Sequence, residues 1–280
     1  MMWQPRISVV ICTMNRPAYL REAVKSIQRQ TLKDLEIVIV QDGRDEATRH
    51  AILELQRADD RIQYAHQPVK GNIARATNLG VRAAIAPYIA ILDDDDLWTD
   101  EAKLEKQLAY LEAHPGVVGC SGGIVATDET GCEVMRYLKP EHDADIKRRA
   151  LMANPMVHTT CMYRRDAAFM IGLYEETLDG FADWDFWLKL GCVGEFYNFQ
   201  QYFGSYRVWR DGATYRTMRV STRCALRIVW RHRHNYGYFV PALAMVVMHN
   251  LYAMLPLAAR KATYEFLAQI KRRAFAQRAA

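Results

Sequence analysis

Residues 88–98 read YIAILDDDDLW, an apolar run that ends abruptly in four consecutive aspartates, Asp93 to Asp96. An apolar run this short, bounded by polar residues, reads as a buried strand. Adjacent carboxylates repel one another and resist losing their water. The cluster therefore calls for something positive at the end of a strand, or else it is a solvated turn ahead of a helix that Thr99 and Asp100 would cap. The same pattern recurs upstream. ISVVICT (7–13), LEIVIVQDG (35–43) and RIQYAHQ (61–67) read as strands. RPAYLREAVKSIQRQ (16–30) reads as a helix, with Pro17 near its start and Leu20, Val24 and Ile27 in helical spacing. ATRHAILELQRA (47–58) and NIARATNLGVRAAI (72–85) are two further helices. This alternation predicts an α/β fold whose mostly parallel central sheet is flanked by helices on both faces. Ligands in such sheets sit beyond the carboxyl ends of the strands. Thr13, Asn15 and Arg16 follow the first strand, Asp42 ends the second, and the aspartates follow the fourth, so one crevice can collect them all.

The second half is less regular. VVGCSGGIVATDETGCEVM (117–135) reads as two strands joined by a turn at Asp128 to Gly131. FADWDFWLKLG (181–191) reads as an amphipathic helix, and EFYNFQQYFGSYRVW (195–209) as paired short strands. From about residue 215 the pattern is helical and basic. The expected division is a body over 1–215 and a helical extension over 216–280.

Charge follows that division. The chain of 280 residues carries a net +5, but residues 206–280 hold 14 Lys/Arg against Asp211 and Glu265, a net +12 that leaves −7 on the rest. A basic tail on an acidic body suits an anionic surface. Within it, FVPALAMVVMHNLYAMLPLAA (239–259) is apolar and near spanning length, but two prolines and His249-Asn250 interrupt it. It is read as an interfacial helical hairpin docked on the body or on a membrane surface. The six cysteines form no C-x-x-C pair and read as reduced thiols of a cytosolic protein, with spacing unsuited to zinc. The amino-terminal residues show no long apolar signal-peptide core. The expected location is cytoplasmic, with peripheral attachment to the inner face of the membrane.

Several residues are candidates by chemistry. Two carboxylates one residue apart at a strand end can share a hard divalent cation, which would in turn hold phosphate oxygens. Asp42 could accept hydrogen bonds from a base or a ribose hydroxyl, or simply make an Asp-Gly turn. GNIARATNLG (71–80) lacks phosphate-loop spacing, but Arg75 and Asn78 are candidate ligand contacts. Asp183 and Asp185 sit among Trp184 and Trp187 near a helix start. Flanking aromatics suit a general base, whereas the helix dipole favours the charged carboxylate, and residue chemistry leaves both readings open. His158, Trp184, Asp185, Arg207 and Arg210 are further candidates for contacts to acceptor or diphosphate.

Taken together, SVVICTMNRP, IVIVQDG, ARATNLG, YIAILDDDDLW, NPMVHTTCMYRRDA and LYEETLDGFADWDFWLKL resemble, in order and spacing, a family-2 glycosyltransferase of the GT-A fold. The resemblance runs from Ile7 to about Thr214. It implies a metal-dependent, inverting transfer of a sugar from a nucleotide-diphospho-sugar to an acceptor hydroxyl; Asp42 alone favours a UDP-linked donor, and the basic carboxyl-terminal region favours cell-surface polysaccharide or glycolipid synthesis. It implies Asp95 as ligand to Mg²⁺ or Mn²⁺, with Asp93 and Asp94 beside the ribose and sugar. Thr13, Asn15 and Arg16 would line the nucleotide pocket, Asp42 would lie near the base, and Asp183 would be the catalytic base. The implied partners are the donor, a saccharide or lipid-linked acceptor and an anionic membrane surface, with no nucleic acid.

Three positions depart from the family pattern. Ala182 precedes Asp183 where Glu is common, Thr77 stands where many members have Arg, and Trp209 stands where many have a histidine ligand. A catalytically inactive sugar-nucleotide binder or scaffold of the same fold is the alternative. A nucleotidyltransferase would need a Gly-rich basic loop after the first strand, and CTMNRP is not one.

Overall fold

The computed structural model describes residues 4–208, 213–256 and 263, and of 213–218 it describes the backbone alone. The first half alternates as its periodicity predicts: β1 (Ile7–Thr13), α1 (Pro17–Gln28), β2 (Leu35–Asp42), α2 (Glu46–Ala58), β3 (Ile62–Gln67), α3 (Ile73–Ala83) and β4 (Tyr88–Ile91). Local chemistry sets the helix starts. Pro17 opens α1, where its missing N–H costs no helical bond. Asp45 caps α2 by accepting from the Thr48 N–H at 2.7 Å, and Asn72 caps α3 by accepting from the Arg75 N–H at 3.0 Å. β1 and β2 are buried on both faces. Val10, Val38 and Val40 face a core shared with α3, while Ile7, Val9, Ile11, Leu35, Ile37 and Ile39 face a core shared with α1. That two-residue alternation divides the hydrophobic residues between the two faces of the sheet. Gly80 lets α3 lie close: a Cβ there would stand 2.5 Å from Val10 Cγ1 and 2.9 Å from Val40 Cγ2.

The second half runs β5 (Leu97–Trp98), α4 (Lys103–Ala113), β6 (Val117–Thr127), β7 (Glu133–Tyr137), α5 (Asp143–Arg148), a 3-10 turn (His158–Thr160), β8 (Met162–Arg164), α6 (Arg165–Met170), α7 (Ala182–Leu190), β9 (Glu195–Arg207), α8 (Ala213–Arg231) and α9 (Phe239–Met254). The strand order is β3-β2-β1-β4-β8-β6-β9-β5, with β7 on β6. β3, β2, β1 and β4 are parallel neighbours. β8 is antiparallel to both β4 and β6, β6 and β9 are parallel, and β5 is antiparallel to β9. A parallel half thus continues into a mixed one, a GT-A-like α/β architecture with helical elements at the carboxyl end.

Two local expectations differ. The stretch expected as paired short strands is one strand, β9, whose register against β6 shifts around Gly122 and Gly123. The expected amphipathic α7 is buried on nearly every side, with only Asp183 and Lys189 partly exposed, because α8 and the 150–174 segment pack around it. The turn at Asp128 to Gly131 forms as expected, closed by the Gly131 N–H on Asp128 O at 3.0 Å. α8 runs across the expected boundary at 215/216, and its inner face joins the same apolar cluster as α7. Among the described residues no helix is long and apolar enough to cross a membrane. Trp209, Arg210 and much of the basic tail lie outside the described residues.

Candidate active site

The carboxyl ends of β1, β2 and β4 share one edge of the sheet, and the turn after β4 is built from Asp93 to Asp96. Neighbouring elements clamp that turn. Asp96 N–H closes it on Asp93 O at 3.1 Å, and Asp93 N–H donates to Thr159 Oγ1 of the 3-10 turn at 3.2 Å. Trp98, in β5, donates its indole N–H to Thr159 O at 2.8 Å. From β9, the Arg207 N–H reaches Asp96 Oδ1 at 3.3 Å. β1 supplies the fourth wall: Thr13 Oγ1 donates to Asp94 Oδ2 at 2.8 Å. Arg16, which precedes α1, donates through Nη1 to Asp94 Oδ1 at 3.1 Å and to Asp95 Oδ2 at 2.6 Å. Asn15, between them, holds the left-handed backbone region at φ 57° that turns the chain from strand to helix.

The electrostatics follow from burial. Burial pushes Asp94 up to about 6, against the opposing Thr13 hydrogen bond and Arg16 charge. Burial likewise raises Asp93, helped by Asp95 and Asp183 and opposed by His158 and Arg16. Asp96 is raised well above the ordinary carboxylate range by burial and by Asp93 and Asp95, and its Oδ2 is buried with no protein partner. The turn holds more negative charge than the groups around it neutralise.

Beside the turn lies a cavity of about 350 Å³. Asp93 and Asp96 line one side; Phe181, Ala182 and Asp183, at the start of α7, also line it. Asn154 donates to Asp183 Oδ2 at 2.5 Å, and Lys139 donates to Asn154 O at 2.8 Å. Burial lowers the Lys139 ammonium below its usual range, with Asp183 opposing. His158 lines the same cavity, its ring edge-on to Tyr174 and Trp187 and its buried Nδ1 without a protein partner. Ile124, Tyr137, Met156, Val157 and Tyr206 complete an apolar and aromatic lining. Lys139, Asn154, Tyr137 and Tyr206 were not anticipated from sequence. They arrive from loops and strands that look like ordinary surface, and only the folding of the β6–β7 hairpin brings the first of them here.

The anticipated residues divide into groups. Asp93, His158 and Asp183 share the cavity; Thr13, Arg16, Asp94 and Asp95 form the adjoining edge. Asp42 is further along that edge and accepts from Gln67 Nε2 at 2.9 Å and the Gly71 N–H at 2.8 Å, so it shapes the loop into α3. Arg75 is exposed on the first turn of α3. Arg207 sits over the Tyr19 ring and pairs with Glu22, at the outer side of Asp96.

Three anticipated contacts are committed elsewhere. Asn78 is buried, donating to Tyr174 O and Glu176 Oε1 and accepting from the Tyr174 N–H, so it pins a loop rather than facing the cavity. Trp184 is buried with its indole N–H on Ala150 O at 2.7 Å. Asp185 is fully buried on the far side of α7, bonded to Arg231 at 3.1 Å and His232 at 3.0 Å, with Lys189 at 3.6 Å. Burial works to raise it, but His232, Lys189 and Arg231 outweigh that and hold it below the usual range. Asp185 is therefore remote from the cavity, and Asp183 is the α7 carboxylate that lines it.

Comparison with known proteins agrees with this architecture. The profile of the family described as "Glycosyl transferase family 2" matches residues 8–169. The amylovoran biosynthesis glycosyltransferase AmsE of Erwinia amylovora is 31% identical over 191 residues, 67% of this chain and 70% of that one. The mannosyltransferase PcManGT of Pyrobaculum calidifontis, solved with GDP-Man and Mn²⁺, superposes with a TM-score of 0.66 at 17% identity, over 96% of this chain and 81% of that one. S. aureus TarS 1-349, solved with UDP-GlcNAc, superposes with a TM-score of 0.65 at 17% identity, over 87% and 72%.

Proposed function

The chain belongs to glycosyl transferase family 2 and transfers a sugar from a nucleotide-sugar donor, and from that premise we propose a single inverting displacement at the cavity between Asp93 and Asp183. The observation that carries the reading is that these two carboxylates, from the turn after β4 and from α7, line one cavity of a size suited to small ligands. Asp183 takes the proton from an acceptor hydroxyl. Asn154 holds one of its oxygens, which leaves the other to accept that proton. The acceptor oxygen attacks the anomeric carbon on the face away from the nucleotide. The anomeric carbon–oxygen bond breaks, its electron pair leaves with the diphosphate, and the configuration inverts. Base catalysis of this kind contributes on the order of 10²–10⁴ in rate. Asp93 orients the sugar, while Thr13, Asn15 and Arg16 line the nucleotide side. Asp42 meets the base through the loop that it organises.

The residues fit a divalent cation. The aspartate turn is under-neutralised, Asp96 Oδ2 has no protein partner, and the ligands offered are hard oxygens. Among the described residues no group of three ligands forms by itself, so Asp95 would hold Mg²⁺ or Mn²⁺ together with diphosphate oxygens and water. When bound, the cation would neutralise the charge of the leaving diphosphate. PcManGT, with its Mn²⁺, supports this assignment. The donor base is taken as uracil on the strength of Asp42, with GDP-Man and UDP-GlcNAc in the two similar structures framing the choice.

AmsE supports a product in polysaccharide or glycolipid synthesis. The proposed location is the cytoplasmic face of a membrane, held peripherally. Thermal shift with UDP-, GDP- and dTDP-sugars, with Mn²⁺ or with chelator, tests the donor assignment. One nucleotide class should raise the melting temperature only with metal, and Asp95→Ala should abolish the rise. No shift with any donor would leave the inactive relative as the better reading.

A further inference from the structure

We propose that the outer face of α9, paired with the arginine-rich α8, docks on an anionic lipid bilayer. This deepens the peripheral placement above by assigning it to one surface. α8 and α9 pack as an antiparallel pair. Asn250 donates to Thr222 O at 2.8 Å and Arg219 to Ala253 O at 2.9 Å, while the Trp230 and Phe239 rings meet at the other end, 5.9 Å apart. The inner side buries Cys224, Ala225, Ile228, Val229, Ala242 and Val246. The outer side of α9 has no such cover among the described residues. Val240, Val247, Met248, Leu251, Met254 and Leu255 recur with helical spacing on one stripe, and Val240, Met248, Leu251 and Met254 are 61–73% exposed. At 1.5 Å per residue the helix is about 24 Å long. It is too short to span a bilayer but suits burial along one side.

Charge selects the occupant. Residues 213–256 contain six arginines and no aspartate or glutamate. Arg223 and Arg227 stand exposed one turn apart on α8, Arg227 also donating to Thr177 Oγ1 at 3.4 Å. A second copy of the chain, meeting this face about a two-fold axis, would bring like arginines together. An anionic headgroup layer instead satisfies both the apolar stripe and the uncompensated arginine charge of the pair. Trp230 and Tyr238, each about half exposed, lie at the end of the pair where interfacial aromatics belong.

The pair is also fixed to a wall of the cavity. Gly180, next to the cavity-lining Phe181, has no room for a side chain against Ser221 of α8. Arg231 and His232 grip Asp185 on α7. Docking through α9 therefore carries the Asp183 wall to the bilayer, which suits an acceptor hydroxyl borne on a lipid.

Flotation of the full chain with phosphatidylcholine vesicles, with and without phosphatidylglycerol, tests the proposal. The chain should float with the anionic vesicles and much less with the neutral ones. Met248→Asp combined with Leu251→Asp should weaken binding at least about tenfold, because each buries a charge in place of an apolar side chain. The donor-induced thermal shift should not change. Arg223→Gln with Arg227→Gln should cost about fivefold per charge, and added salt should do the same. Vesicle binding that survives the double aspartate variant would overturn α9 as the docking face while leaving peripheral attachment in place. Wild-type protein that stays with no vesicle would overturn both. A dimer in sedimentation velocity that the same variant splits would give the stripe to a second copy and overturn the proposal.

Discussion

Replacing Asp94 by asparagine isolates the cost of charging the aspartate turn. Asp94 titrates near 6 in the folded chain because it is buried, against 3.8 for the unperturbed group. Its folded value is raised, so between these limits the native state holds a proton that the unfolded state has lost. Stability from this group is therefore fully present below about pH 4 and declines as pH rises through the folded value, after which it is flat. The rise from 3.8 to about 6 corresponds to about 3 kcal/mol. Asparagine keeps one acceptor oxygen, enough for the Thr13 hydroxyl, 2.8 Å away in the wild type, but not also for Arg16, which bonds the other carboxylate oxygen; that loss is independent of pH, and asparagine has no charge to acquire. Denaturant unfolding of both proteins in chelator, from pH 4 to pH 7.5, gives the difference directly. Asp93 and Asp96 tilt both curves in the same direction and largely cancel. The variant should gain up to about 3 kcal/mol relative to wild type between pH 4 and 6.5, then hold level. A difference independent of pH, or a variant that loses ground as pH rises, would refute burial as the dominant influence on this carboxylate.

Three further outcomes follow from packing, charge and ligand. Gly80→Ala puts a methyl 2.5 Å from Val10 Cγ1, so α3 must move off the sheet and stability should fall by about 1–3 kcal/mol in denaturant unfolding; an unchanged midpoint would contradict the close approach. Arg231→Met removes one cation from fully buried Asp185 while leaving His232 and Lys189, and should cost about 1–3 kcal/mol at neutral pH. That loss should shrink as pH falls below the ordinary carboxylate range, since a depressed carboxylate stabilises only while ionised, and a loss constant down to pH 3 would contradict the ion pair. Chelator should erase the donor-induced thermal shift and Mn²⁺ should restore it, whereas a shift indifferent to both would place the donor without a metal.

The parts of the fold set by short-range patterns were legible. β1 to β4 and α1 to α3 follow from short apolar runs alternating with helical patterns and from Pro17 at the start of α1; the Asp45 and Asn72 caps emerge only in the structure. The carboxyl-edge position of Thr13, Arg16 and the aspartates then followed from topology. What was hidden depends on partners distant in sequence. Asn78 looks like any polar residue of a helix, but Tyr174, 96 positions later, claims both ends of its amide. By residue chemistry alone Asp185 and Asp183 look alike, and only the resemblance favours Asp183; in the structure Arg231 and His232, at and just past the end of α8, hold Asp185 away from the cavity. Lys139 follows the exposed β7, and nothing nearby in sequence marks it as a neighbour of Asn154 and Asp183. The 195–209 stretch reads as paired short strands but folds as one, its register against β6 shifting where Gln200 and Gln201 fall between the Gly122–Phe199 and Gly123–Tyr202 pairs.

The most direct test of the central claim is the rate of nucleoside diphosphate release by wild type and Asp183→Asn at saturating donor, with water or a panel of sugars as acceptor. The account predicts an unchanged donor-induced thermal shift in the variant and a rate lower by on the order of 10²–10⁴. Equal rates at equal donor occupancy would contradict it and remove Asp183 as the base.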